Sequence, residues 1–319
     1  MNSGGGLGGI HHVTAIAGDP QQNVDFYAGL LGLRLIKRTV NFDDPGTYHL
    51  YFGDEAGHPG TILTFFPWPG APRGRHGAGQ VTAVSFSVPP GSLAYWEERL
   101  RGRDVAFEAK ESPFGESILE LPDPDGLPLE LVADPRAGLG RPWPGAAVPA
   151  AQAIRGFHSV SLLEHEHTGT ERMLTEVMGL QCAQIVGHRR RYVFGNGGAA
   201  AYVDIVGAPD ASPAVVAVGT VHHVAWRVAS DDAQAAWRRR LLEARVNVTP
   251  VRDRQYFHSI YYHEPGGVLF EIATDPPGFA IDETPGTLGT TLRLPPWLEP
   301  RRAALEERLP VLRLPSGRG

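Results

Sequence analysis

Short apolar runs, rich in β-branched and aromatic residues, recur along the chain, and the densest stretch lies between Val221 and Thr274. It opens Val221-His222-His223-Val224-Ala225-Trp226 and closes Gly267-Val268-Leu269-Phe270-Glu271-Ile272, with a Pro265-Gly266-Gly267 turn leading into the second run. Both runs read as buried strands. Each carries a group that is hard to bury. Glu271 lies between Phe270 and Ile272, and a buried carboxylate requires a partner or a metal. Side chains alternate across a strand, so His222 and His223 are expected on opposite faces, with only one of them able to meet Glu271.

The same order of strand, helix and further strands begins near Ile10, Val81, Phe157 and Val221. Each unit spans roughly 50–55 residues, which suits a βαβββ module better than a helical repeat. Odd units share a helix that ends in Gly-Leu, at Gly32-Leu33 and Gly179-Leu180, where glycine reads as a helix C-cap. Even units share a helix with an aromatic centre, around Trp96 and Trp237, and the closing strands Gly126-Leu127-Pro128-Leu129-Glu130 and Gly267-Val268-Leu269-Phe270-Glu271 match. The predicted fold is therefore α+β: four βαβββ modules forming two barrel-like domains, produced by duplication of a two-module half. The expected boundaries are a module pair over 1–135, a linker over 136–154, a second pair over 155–280 and a Pro-rich tail over 281–319. The linker region carries Pro135, Gly138, Gly140, Pro142, Pro144, Gly145 and Pro149. The tail contains a short amphipathic helix, Glu299 to Leu309, whose Ala303, Leu305 and Leu309 are expected to dock on the body.

Composition narrows the function. At 319 residues, 42% hydrophobic and 20% charged, the chain is ordinary globular protein. A net charge of −6 argues against an electrostatic grip on nucleic acid or an anionic membrane, leaving a small molecule as the expected partner. The amino terminus, Met1 to Gly6, lacks the features of a signal peptide and no apolar run is long enough to span a bilayer, so a cytoplasmic location is expected. The single cysteine, Cys182, has no partner for an internal disulfide and reads as a small core residue.

Aligning the modules sets His12 on His158 and His223 on Ala83, and at the closing strands it matches Thr64, Glu130, Asp204 and Glu271. Two histidines and one carboxylate with open coordination positions form the ligand set of non-haem Fe(II) oxygenases. Spacing alone leaves open whether His12 or His158 joins His223 and Glu271.

The four-module plan with this placement of His and Glu resembles the vicinal oxygen chelate superfamily of glyoxalases, bleomycin-resistance proteins and extradiol dioxygenases. More narrowly, Ile10-His11-His12-Val13-Thr14, the run Lys37-Arg38-Thr39-Val40-Asn41-Phe42-Asp43-Asp44-Pro45, and Tyr48-His49-Leu50-Tyr51-Phe52-Gly53-Asp54 resemble the dioxygenases that open para-hydroquinones. The resemblance spans nearly the whole chain. It implies His12, His223 and Glu271 as the metal ligands, with Fe(II) ahead of Mn(II) or Zn(II). Around them it places His11, Thr14, His222, Arg254 and Tyr261, residue types suited to fixing ligand rings, moving phenolic protons and balancing negative charge. The implied reaction is O2-dependent cleavage of a hydroquinone- or catechol-type ring, with the aromatic diol and O2 as partners and a homo-oligomer as a common assembly. Trp226, Tyr256 and Phe257 are expected to line the pocket.

Two other classes share the fold. A glyoxalase-like lyase or isomerase uses a redox-silent metal and usually four protein ligands, which His158, Asp204, His223 and Glu271 would supply. A metal-free binding protein requires no ligands and leaves Glu271 without a partner. Units two and three would form a companion site, yet Ala83 stands where His223 stands in unit four, leaving Glu130 without a histidine.

Overall fold

The computed structural model describes residues 6–137, 141–195, 197 and 200–314. Residues Met1 to Gly5 of the amino terminus and Gly138 and Gly140 of the expected linker lie outside the described residues. The α+β plan of four modules is present. Module one contains β1 (Ile10–Ala17), β2 (Arg34–Val40), β3 (Tyr48–Gly53) and β4 (Ile62–Pro67). Module two contains β5 (Gln80–Val88), β6 (Glu108–Glu111), β7 (Ser117–Pro122) and β8 (Pro128–Ala133). Module three contains β9 (Phe157–Glu164), β10 (Gln181–Val186), β11 (Arg189–Val193) and β12 (Tyr202–Gly207), and module four β13 (Thr220–Val228), β14 (Arg252–Asp253), β15 (Phe257–His263) and β16 (Leu269–Pro277).

A helix follows the first strand of every module. In module one α1 (Pro20–Val24) runs on as a π-helical stretch, Asp25–Leu30, and in module three α3 (Thr168–Arg172) does the same over Met173–Val177. Both end at the expected glycines, Gly32 at φ +73° and Gly179 at φ +80°, a left-handed conformation that favours glycine. Modules two and four carry α2 (Leu93–Arg101) and α4 (Asp231–Glu243), which bury Trp96 and Trp237.

The strands form two eight-stranded sheets, ordered β14-β15-β16-β13-β1-β4-β3-β2 and β10-β11-β12-β9-β5-β8-β7-β6. Each sheet joins one module from each half, module one with four and module two with three. The antiparallel pairs β1–β13 and β5–β9 form the seams. All eight residues of β1 are buried because it lies mid-sheet with a parallel neighbour on one side and an antiparallel one on the other.

The tail packs along β2. Leu292, Leu294, Leu298, Leu305 and Leu309 are buried, and α5 (Arg302–Arg308) supplies Leu305, whereas Ala303 is exposed, contrary to expectation. Lys37 of β2 is fully buried and meets the tail carboxylates Asp282 (2.6 Å) and Glu283. A buried ammonium requires such partners, so this ion pair fixes the tail to the sheet. Cys182 also departs from expectation. It is exposed, because β10 is an edge strand with every residue open to solvent. Among the described residues no helix is long and apolar enough to cross a membrane.

Candidate metal centre

The centre lies at the seam between modules one and four. Regular alternation along β1 and β13 would send neighbouring histidines to opposite faces, and the strands depart from it at two points. Ile10 stands opposite Trp226 and His12 opposite Ala225, leaving His11 as an extra residue. On the other strand Thr14 faces His223 and Ala15 faces Val221, leaving His222 extra. Each is a β-bulge, which re-aims side chains locally. Each histidine pair is thereby brought together rather than split: Nδ1 of His11 lies 2.9 Å from Nδ1 of His12, and Nδ1 of His222 lies 2.8 Å from Nδ1 of His223. The expectation that His222 and His223 take opposite faces fails for this reason.

The outer nitrogens of His12 and His223 then converge. Their Nε2 atoms lie 3.3 Å apart, and Glu271 Oε2 lies 3.4 Å from the first and 2.9 Å from the second. All three residues are buried, Glu271 completely. Three ligands at ~2.0–2.2 Å from one ion and at right angles to each other stand about 3 Å apart, which these separations match. Oε2 meets both imidazoles without a well-directed hydrogen bond from either, as expected of an oxygen whose lone pair is meant for a cation. The residues therefore fit a divalent metal held on one face by two imidazoles and a carboxylate, a buried metal-binding triad.

Second interactions hold each ligand. With Nε2 reserved for a metal, the Nδ1–H of His12 donates to His11 and that of His223 donates to His222. Both acceptors must then be neutral. Burial, reinforced by the adjacent ligand imidazole, pushes His11 well below the ordinary histidine range and His222 down to about 3. Burial also lowers His223. For Glu271 burial acts upward, and His12 and His223 outweigh it, holding the carboxyl well below its usual range. Its second oxygen, Oε1, accepts a hydrogen bond from Ser259 on the neighbouring strand β15.

His12 and His223 line a cavity of about 400 Å³, a size typical of small-ligand sites, with Glu271 behind them. Tyr261 faces Glu271 across the β15–β16 pair and accepts from Arg254 Nε at 3.1 Å. Arg254 also reaches across to Asp43 (2.9 Å) in the loop between β2 and β3, so one ion pair joins module four to module one over the cavity. Thr14, His222, Arg254 and Tyr261 all line the cavity. His11 does not; it lies behind His12 against Phe257. Of the three aromatics expected in the wall only Phe257 is there: Trp226 is buried against Phe194 and Phe270, and Tyr256 stacks on Phe279.

His158 and Asp204 belong to the other sheet and take no part in the triad. A bulge leaves His158 unpaired between Phe157 and Ser159, so it is the counterpart of His11, and Ser159 that of His12. The alignment of His12 on His158 is thus off by one residue. His158 contacts Glu116 (3.2 Å), and Asp204 is bridged through both oxygens by Arg191. The companion positions hold Ser159, Ala83 and Glu130, the last accepting from Ser85.

Sequence reasoning did not single out Ser259, Asp43 or His49 as site residues. Ser259 carried a signal, since it lies two residues before Tyr261 and so on the same face of β15. The contact of Asp43 with Arg254 joins residues 211 positions apart and has no local signature.

The protein-family model described as Glyoxalase/Bleomycin resistance protein/Dioxygenase superfamily matches residues 9–131 and 171–282. The chain is 49% identical over 301 residues to MhqO of Bacillus subtilis (strain 168), named as a candidate ring-cleaving dioxygenase, covering 94% of this chain and 95% of that one. It is 39% identical over 299 residues to the chlorohydroquinone/hydroquinone 1,2-dioxygenase of Sphingobium indicum, covering 91% and 92%. A crystal structure of a candidate dioxygenase from Bacillus subtilis superposes with a TM-score of 0.93 at 47% identity, covering 97% of this chain and 99% of that one.

Proposed function

The chain belongs to the glyoxalase/bleomycin resistance protein/dioxygenase superfamily, and on that premise we propose that it is a non-haem Fe(II) dioxygenase that cleaves the ring of a hydroquinone-type aromatic diol with O2. The observation that carries this reading is the triad His12, His223 and Glu271, whose two histidines line a cavity of small-ligand size. The identity to hydroquinone- and ring-cleaving relatives over nearly the full chain supports the reaction class.

Fe(II) held by His12, His223 and Glu271 would supply a Lewis acid that lowers the pKa of a phenol and a redox centre able to couple ring electrons to O2. The chain's own groups do the rest. Phe66, Trp68, Phe257 and Leu269 offer apolar walls for the faces of a ring. Tyr261, accepting from Arg254, keeps its own proton free to donate toward an oxygen in the cavity. The Arg254 guanidinium beside it balances negative charge that develops on that oxygen. His222, neutral and with Nδ1 engaged by His223, keeps its Nε2–H to donate toward an oxygen in the cavity, while His11 and His222 together hold the ligand rings in one tautomer. Thr14 presents a hydroxyl on the β1 wall.

The test is oxygen uptake by anaerobically Fe(II)-loaded protein. Consumption of one O2 per hydroquinone, with both atoms of 18O2 recovered in the open-chain product, is expected. Protein with stoichiometric Fe(II) that consumes no O2 with hydroquinone or catechol, yet isomerises a thiol adduct, would overturn the dioxygenase reading in favour of a glyoxalase-type one.

A further inference from the structure

The module-one wall of the cavity carries polar groups that the reaction as described does not use. Thr14 Oγ1 lies 2.9 Å from Thr64 Oγ1, Thr64 Oγ1 lies 2.8 Å from His49 Nε2, and His49 Nδ1 lies 2.8 Å from the Tyr51 hydroxyl. The four groups come from three adjacent strands, β1, β4 and β3. Thr14 and Thr64 are completely buried and Tyr51 nearly so. The His49 ring is held between the rings of Tyr51 (4.0 Å) and Phe66 (4.3 Å). Thr14, His49 and Tyr51 line the cavity, whereas Thr64 stands behind it.

Thr64 has a particular place in the repeat. It is the position in module one that corresponds to Glu271 in module four: each lies on the closing strand, beside the strand that carries a ligand histidine. Where module four presents a carboxylate to the centre, module one presents a hydroxyl, and that hydroxyl is already bonded on both sides. The local twofold relation therefore yields three ligands and one hydrogen-bonded chain instead of four ligands.

A hydroxyl both donates and accepts, and a neutral imidazole donates from one nitrogen while accepting at the other. The chain can run in either direction without breaking a hydrogen bond, which is the requirement for moving a proton along it. Both nitrogens of His49 are engaged, Nδ1 by Tyr51 and Nε2 by Thr64, and the threonine side leads through Thr14 to the strand that carries the ligand His12. Burial keeps His49 well below the ordinary histidine range, so a proton taken up there is readily returned.

We propose that His49 is a proton carrier for ring cleavage, receiving the proton of a substrate hydroxyl through Thr14 and Thr64 and returning it to an oxygen of the product. The inference rests on the dioxygenase reading above. In the forward step the substrate O–H bond breaks and Thr14 Oγ takes the proton. Thr14 passes its own proton to Thr64, which passes its own to His49 Nε2, while His49 Nδ1–H donates to Tyr51 Oη. The reverse sequence restores the resting chain, and neither electrons nor a co-reactant enter. His49 acts through the two threonines, so its role is to position and carry a proton.

The experiment uses the Fe(II)-loaded full chain with unsubstituted hydroquinone, comparing His49→Gln, Thr64→Val and the double variant. Glutamine keeps a polar contact for Thr64 but takes up no proton, and valine removes only the linking hydroxyl. Each single variant is expected to retain one metal per chain and a KM within about threefold. Each should lower kcat by about 100-fold, the low end for general acid–base catalysis. The double variant should be no slower than either, because both break one chain. A proton inventory in H2O/D2O mixtures should be curved for the wild type and linear for Thr64→Val, a change that a purely structural role would not produce. Unchanged kcat in His49→Gln, or losses that multiply in the double variant, would overturn the relay while leaving the dioxygenase intact. A wild type that consumes no O2 would overturn both.

Discussion

Ser259→Ala tests whether the metal centre depends on the residues that hold its ligands. Glu271 is completely buried; Oε2 faces the two imidazoles, and Oε1 accepts from the Ser259 hydroxyl, itself fully buried. Removing that hydroxyl leaves Oε1 without its donor in a place closed to water. Hydrogen bonds to charged groups contribute about 1.5–3 kcal/mol. Loss of a group supporting a metal ligand typically weakens metal binding 10–100-fold, about 1.4–2.8 kcal/mol at 1.4 kcal/mol per decade. The two figures come from different kinds of measurement and overlap, so Kd for Fe(II) or Mn(II) should rise 10–100-fold. The assay is anaerobic titration of metal-free protein in competition with a chelator, with the melting temperature of the metal-free form measured beside it. A Kd within twofold of wild type would refute the argument that Ser259 holds Glu271. Weakening that tracked only unfolding of the metal-free form would refute it equally.

His223→Ala should abolish stoichiometric metal and O2 uptake together, and a full equivalent of metal by elemental analysis would contradict the triad. Tyr261→Phe should keep the metal and slow turnover by about 2.7–4 kcal/mol, the range for loss of a well-placed oxyanion donor; steady-state oxygen uptake measures it, and unchanged kcat would remove Tyr261 from the reaction. Lys37→Met leaves the buried Glu283 without its ammonium partner, with Arg293 (3.3 Å) and the Gly289 N–H (3.4 Å) remaining beside it, and breaking a buried pair should cost about 3–5 kcal/mol. Urea unfolding measures that loss, and a change below about 1 kcal/mol would mean that the tail is not held by this ion pair. Glu164 is fully buried, and burial, together with Glu264 nearby, outweighs the Thr170 hydroxyl and pushes its pKa up to about 8. A raised carboxyl pKa favours the folded state while protonated, so stability should fall as pH rises from about 4.5 toward 8. Glu164→Gln should flatten that fall in a series of melting curves, and parallel wild-type and variant profiles would argue against it.

Much of the protein was legible in its residues because the signals were local. Periodicity, turn residues and the Gly-Leu helix ends are properties of short windows, and they identified four modules with an α+β plan. Glu271 between Phe270 and Ile272 announced a carboxylate with a task, and the family resemblance selected His12 over His158 to complete the ligand set. What the windows did not contain was decided by pairing between distant strands. The seam of β1 with β13 brings residues some two hundred positions apart to one ion, and its bulges at His11 and His222 break the two-residue alternation that a single strand implies. The same seam shows that His158 corresponds to His11 and not to His12, a one-residue shift that the motifs alone do not reveal. Ser259 meets Glu271, Arg254 meets Asp43 and Thr64 joins His49 to Thr14 only because neighbouring strands set those side chains side by side. A strand's sequence specifies which face is buried, and the register against its neighbours determines what that face touches.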